Sequence, residues 1–152
     1  MQKEYKINQV NPSKGALDFS YLLDAPAGKH GFVQAKNGHL YYEDGTRARF
    51  LGFNMATRSN AVNHELAEKL AGRFASLGVN VIRLHAADAP IGEQERSWSS
   101  CKEAPLLDYE KGTSRFFHPE GLDRFDYFVA KLKEKGIYIH ICLLYTSDAA
   151  DE

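Results

Sequence analysis

Gly78-Val79-Asn80-Val81-Ile82-Arg83-Leu84-His85, followed at once by Ala86-Ala87-Asp88-Ala89-Pro90, is the stretch that decides the fold. Its apolar body ends in an arginine, a histidine and an aspartate within six residues. That is the composition of a buried strand delivering polar groups to the rim of a site. A short apolar run bounded by turn residues suits a strand covered on both faces, as in parallel sheets.

The flanking sequence supports this. Upstream, Leu66, Leu70, Phe74 and Leu77 recur at helical spacing, with Asn63 at the N-cap position and Gly78 at C′. Before that helix, Phe50-Leu51-Gly52-Phe53-Asn54 reads as a buried strand. Downstream, Leu122, Phe125, Val129 and Leu132 form a second helical stripe, opened by Pro119 and closed by Gly136, and Ile137 to Ile141 is a third strand. Helix, glycine, apolar strand thus occurs twice, with Gly78 and Gly136 as equivalent points. Such alternation predicts an α/β fold with a parallel sheet. A doubly wound nucleotide-binding domain would favour a glycine-rich phosphate turn after its first strand. Gly52-Phe53-Asn54-Met55-Ala56-Thr57 has no G-x-G-x-x-G, and no G-x-x-x-x-G-K occurs anywhere. A barrel is the architecture that remains.

Residues 1–30 show scattered apolar positions without sustained period and read as a lead-in segment wrapping the domain. Phe32 to Lys36, His39 to Glu43 and Thr46 to Leu51 follow as short strand-like runs separated by Asn37-Gly38 and Asp44-Gly45. Both dipeptides suit type I′ turns, which predicts a small antiparallel β-meander. The segment Ala86 to His118 is long for a connection and rich in aromatics (Trp98, Tyr109, Phe116, Phe117). In a barrel it lies on the C-terminal face, where substrates bind.

With 152 residues, 43% hydrophobic and 26% charged, the chain is of the globular class and long enough for one core. A formal net charge of -1 and the absence of any Lys/Arg tract give no reason to expect nucleic acid or an anionic membrane as partner. No apolar stretch approaches the roughly 18 residues of a membrane span, and Met1-Gln2-Lys3-Glu4-Tyr5-Lys6 leads into no hydrophobic signal region, so the sequence as written reads as cytoplasmic. Residues 142–152, Cys142-Leu143-Leu144-Tyr145-Thr146-Ser147-Asp148-Ala149-Ala150-Asp151-Glu152, look like the conceptual translation of a sequencing-library adapter. The domain is therefore expected to occupy residues 31–141. Setting aside the three acids of this tail leaves 19 basic against 17 acidic residues and one cysteine, Cys101. A single thiol implies no intrachain disulfide and no oxidising compartment.

Arg83 and His85 lie two apart on one strand and so point to the same side. An arginine at a barrel's rim can hold a catalytic carboxylate ionised, since an adjacent cation lowers its pKa. His85 can donate to a sugar hydroxyl or orient a carboxylate. The blander alternative pairs Arg83 with Asp88 and satisfies His85 with backbone. Asn54, ending the first strand, can face the same rim or cap the turn that follows. Asp88 can bind substrate or simply stop the strand. Trp98 can stack on a sugar or anchor the long loop. His140 can point to either face. His64-Glu65-Leu66-Ala67-Glu68 lacks the final histidine of H-E-x-x-H, so no metal site is expected, and neither G-x-S-x-G nor C-x-x-C occurs. Nothing in the sequence asks for a cofactor.

Gly31-Phe32-Val33 through Asp44-Gly45-Thr46, Arg49-Phe50-Leu51-Gly52-Phe53-Asn54, Leu77 through His85 with Asp88, and His118-Pro119-Glu120-Gly121-Leu122-Asp123-Arg124-Phe125-Asp126-Tyr127 together resemble cellulase-like glycoside hydrolases of clan A, near family 5. The resemblance covers about residues 15 to 141. It implies a (β/α)8 TIM barrel that hydrolyses β-glycosidic bonds of an oligo- or polysaccharide with retention, using two glutamates after strands four and seven. Such a barrel typically needs about 250 residues. This chain is expected to hold strands one to three only, to lack the catalytic pair, and to be inactive alone. The resemblance makes Arg83 the arginine near the nucleophile and puts Asn54, His85 and Asp88 on the substrate face. A non-catalytic carbohydrate-binding barrel is the alternative, and a nucleotide-binding domain the more distant one.

Overall fold

The computed structural model describes residues 17–88 and 105–142. Trp98, Cys101 and the tail from Leu143 lie outside them. A two-stranded antiparallel hairpin, β1 (Val33–Lys36) and β2 (His39–Tyr42), precedes a three-stranded parallel sheet in the order β3 (Gly52–Ala56), β4 (Val81–His85), β5 (Tyr138–Cys142). Helix α1 (His64–Ser76) joins β3 to β4, and α2 (Pro119–Glu134) leads into β5.

Both helices start and stop by the same local chemistry. The Asn63 side chain accepts from Leu66 N at 2.9 Å, and the His118 ring accepts from Gly121 N ahead of Pro119. At the far ends, Gly78 N and Val79 N donate to Ala75 O and Phe74 O, while Gly136 N and Ile137 N donate to Lys133 O and Leu132 O. These are two Schellman caps with glycine in the left-handed region (φ +73 and +81). Each cap throws its next residue, Val79 or Ile137, into the core beside Phe74 or Leu132. Val79 therefore does not belong to the column of Val81, Arg83 and His85.

Ile82, Leu84, Phe128, Leu132 and Ile137 are fully buried between sheet and helices, each stabilising by about 1.5–3 kcal/mol relative to exposure. On α1 the buried seam is Ala67, Ala71, Phe74 and Ala75. The leucines expected there are displaced: Leu66 and Leu70 are half-buried, and Leu77, the C-cap, is exposed. On α2 the buried seam is Gly121, Phe128 and Leu132, with Phe125 and Val129 at its margin. Small side chains let the helix backbones approach, and larger ones fill the flanks of each seam.

Two expectations about the N-terminal half are corrected. Asn37 and Gly38 both adopt positive φ (51 and 75), as a type I′ turn requires. At Asp44-Gly45 only Gly45 does; Gly45 N donates to Tyr42 O and Tyr42 N to Thr46 O, closing a three-residue loop with a glycine bulge. The third run of the meander is not a strand, and only a bridge from Tyr41 to Arg47 remains. The first sheet strand begins at Gly52 instead of Phe50, because Asn80 occupies the approach. Its side chain accepts from Leu51 N at 2.7 Å and donates to Arg49 O at 2.8 Å. A Cβ on Gly52 would lie 2.0 Å from the Val81 carbonyl oxygen, so this crossing needs glycine.

Candidate functional site

The ladder aligns Gly52, Val81 and Tyr138 in one row, Asn54, Arg83 and His140 in the next, and Ala56, His85 and Cys142 in the third. In register and at period two, these nine residues share the sheet face opposite the helices. The first row is sealed. Tyr138 stacks on Tyr42 (centroids 5.6 Å apart, planes at 28°) and meets the edge of Phe50 at 5.5 Å, so the hairpin covers the N-terminal end of the face. The second and third rows form the C-terminal rim and carry the polar groups.

Arg83 is held from both sides. One guanidinium nitrogen donates to Asn54 Oδ1 at 2.8 Å and another to Cys142 Sγ at 2.7 Å. Asn54 therefore serves the rim. The turn after β3 is capped instead by Ser59, whose hydroxyl accepts from Ala56 N and donates to Ala56 O. His85 Nδ1 lies 3.4 Å from Cys142 Sγ, and its carbonyl accepts from Asn60 Nδ2 at 2.9 Å. Asn60 is buried, with its Oδ1 lacking a hydrogen-bond partner among the described residues. Directly after His85 the chain turns through Ala86 at φ +49, a left-handed conformation of the kind that concentrates at functional sites, and Ala86 N donates to Cys142 O at 2.8 Å.

Asp88 follows, half-buried, its carbonyl accepting from the Tyr109 hydroxyl. Tyr109 belongs to a short turn, Tyr109–Lys111, inside a small hairpin-like loop where Leu107 bridges Phe117 and Asp108 N donates to Phe116 O. The long connection thus has structure of its own in its second half. Three of the five candidate residues, Asn54, Arg83 and His85, come together at one rim, and Asp88 follows three residues after His85. Trp98 lies outside the described residues.

His140 joins them as the residue that sequence reading left undecided. It is exposed and level with Arg83. The signal was present in Ile137-Tyr138-Ile139-His140-Ile141, where the alternating isoleucines claim the helix face and leave Tyr138 and His140 the other. None of the nine face residues is an acid, so this sheet supplies a cation and two imidazoles but no carboxylate. It can bind and orient anionic or hydroxyl groups, and its nine residues include no carboxylate pair. His64 is accounted for elsewhere, bonded to Asp123 at 2.9 Å and stacked on Tyr127.

No family model and no curated protein matches the sequence. Among solved structures, a glycoside hydrolase family 5 protein from Bacteroides vulgatus ATCC 8482 superposes with a TM-score of 0.52 at 14% identity, over 78% of this chain and 25% of that one. A second, named only as a glycoside hydrolase, gives 0.49 at 17% identity over 78% and 26%. The first likeness shows the fold: a parallel sheet with its helices arranged as in a part of a family 5 barrel. The chain spans about a quarter of the length of that structure.

Proposed function

We propose that this chain is the N-terminal portion of a retaining glycoside hydrolase acting on β-linked glycans, with both catalytic glutamates supplied by protein outside this sequence. The observation that carries the reading is Arg83, held level by Asn54 on the C-terminal rim of a family-5-like sheet whose open face contains no acid. Retention uses two carboxyl groups about 5–5.5 Å apart, one as nucleophile and one as acid/base. A fixed guanidinium beside the nucleophile keeps it ionised, and Asn54, His85 and Asp88 are the residues this reading assigns to the substrate face. In this reading Cys142 and the residues after it are a non-native tail.

The decisive experiment is recovery of the continuous gene from its source. It is expected to depart from this sequence at or near residue 142 and to place a glutamate after each of strands four and seven. The 152-residue chain should leave a β-glucoside chromogen untouched while the full protein hydrolyses a β-linked substrate. In the full protein, Arg83→Ala should lower kcat by about 10²-fold or more, the scale of losing one preorganised electrostatic contact. Turnover by this chain alone, or wild-type kinetics in Arg83→Ala, removes the proposal.

A further inference from the structure

Away from the rim, His30 closes the sealed end in a way that the proposed glycosidase chemistry does not use. Its Nδ1 lies 2.5 Å from Asp44 Oδ2, in the turn after β2, and its Nε2 is bonded to Asp24 of the lead-in segment. Lys29 is also paired with Asp24. The imidazole lies 5.6 Å from the Tyr42 ring, which in turn stacks on Tyr138. Glu43 packs over Gly31, the next residue, so closely that any Cβ there would overlap it. The lead-in continues to the end of α2 through Ala27 N to Lys133 O and to the sheet through Gly28 N to Tyr138 Oη.

A neutral imidazole has one N–H and one lone pair, and only the imidazolium donates from both nitrogens. With an ionised carboxylate at each nitrogen, the arrangement is bonded at both ends only in the protonated state. We propose that Asp24, His30 and Asp44 form a pH-operated clasp that fastens the lead-in segment to the hairpin over the sealed end of the sheet. Loss of one proton to solvent turns one ring nitrogen into an acceptor facing a carboxylate, and that arm of the clasp opens.

The charges facing His30 set the window. Asp24 first and Asp44 second raise its pKa above 6.5 by hydrogen bonding to the ring. Lys29 chiefly depresses Asp24, and the Thr46 backbone N–H chiefly depresses Asp44. Of the other groups around it, the Tyr42 phenol is pushed up to about 12, mainly by burial, and stays neutral throughout. A raised histidine pKa gives stability that is fully present below the unfolded value and lost as pH rises through the folded one. The clasp is therefore shut from mildly acidic pH up to its own folded pKa and opens above it.

Histidine ring ¹⁵N spectra of the 152-residue chain test this, together with amide protection factors at Ala27 and Gly28 corrected for intrinsic exchange. The expected result is a His30 ring protonated on both nitrogens at mildly acidic pH, with a midpoint above 6.5. Protection at Ala27 and Gly28 should fall about two- to fivefold through that midpoint, the range for exposed ion pairs. Asp44→Asn should lower the midpoint, and His30→Gln should abolish the pH response of both amides over that window. A midpoint at or below 6.5, or an unchanged pH response in His30→Gln, overturns the clasp.

Discussion

The two ends of one sheet face have opposite characters, although the same three strands build both. At the N-terminal end Tyr138, Tyr42 and Phe50 close the face with aromatic rings, and the lead-in segment is bonded across it. At the C-terminal end Asn54, Arg83, His85 and His140 leave it polar and accessible, with a left-handed alanine in the turn. The difference is set within each strand by two to four residues. A parallel strand that is apolar on its helix side is free to vary on the other, so one end can be given to stability and the other to chemistry.

The wall shared by both ends should respond most. Phe128 is fully buried beneath the sheet, and Phe128→Ala should cost about 3–5 kcal/mol, mostly as a cavity that the core cannot refill. Chemical denaturation monitored by tyrosine fluorescence should show one transition moved to lower denaturant. Two transitions would mean that the ends unfold independently and that the sheet does not couple them.

The sharper comparison sets one substitution at each end. Tyr138→Ala removes the centre of the aromatic plug, a half-buried ring with two aromatic neighbours, and should cost about 2 kcal/mol. Arg83→Ala removes a half-buried side chain hydrogen-bonded to Asn54 and Cys142, with no ring packing to lose, and should cost about 1 kcal/mol. The order of the two denaturation midpoints checks this. A larger loss for Arg83→Ala would make the guanidinium a structural post, with its place at the rim incidental.

Much of this contrast was legible in the sequence, and what was not has identifiable physical causes. Both glycine caps, the Asn63 cap and the paired polar tip of β4 follow from local chemistry and could be read directly. Of the expected helix stripes, Phe74 and Leu132 lie in the buried seams, while Leu66, Leu70, Phe125 and Val129 pack at their margins, because on α1 the closest approach goes to Ala67, Ala71 and Ala75 and on α2 to Gly121 and Phe128. The ladder register was hidden by Asn80. Counting from the equivalent glycines aligns Arg83 with Ile141, whereas the sheet aligns it with His140, since Asn80 is one extra residue between cap and strand. A one-residue shift moves every side chain to the other face, so the neighbour of Arg83 could be found only from the isoleucine alternation or from the ladder itself.

The smallest expected effect concerns acid. Asp24 and Asp44 at the sealed end have pKa values held below the usual carboxylate range, Asp24 chiefly by Lys29 and then His30, Asp44 chiefly by the Thr46 amide. A depressed carboxylate contributes stability that is present above its unfolded pKa and is lost as pH falls through the folded one. Acidification into that range should therefore loosen the lead-in segment and hairpin before it touches the strand residues of the rim, Asn54, Arg83, His140, Ala56, His85 and Cys142, none of which is an acid. Because both carboxylates are solvent-accessible, the change should be a gradual loss of amide protection at Ala27, Gly28 and Thr46 while the β4 amides stay protected. Simultaneous loss at β4 would show that the sealed end is not a separable unit, and that the division between the two ends is one of composition without independent stability.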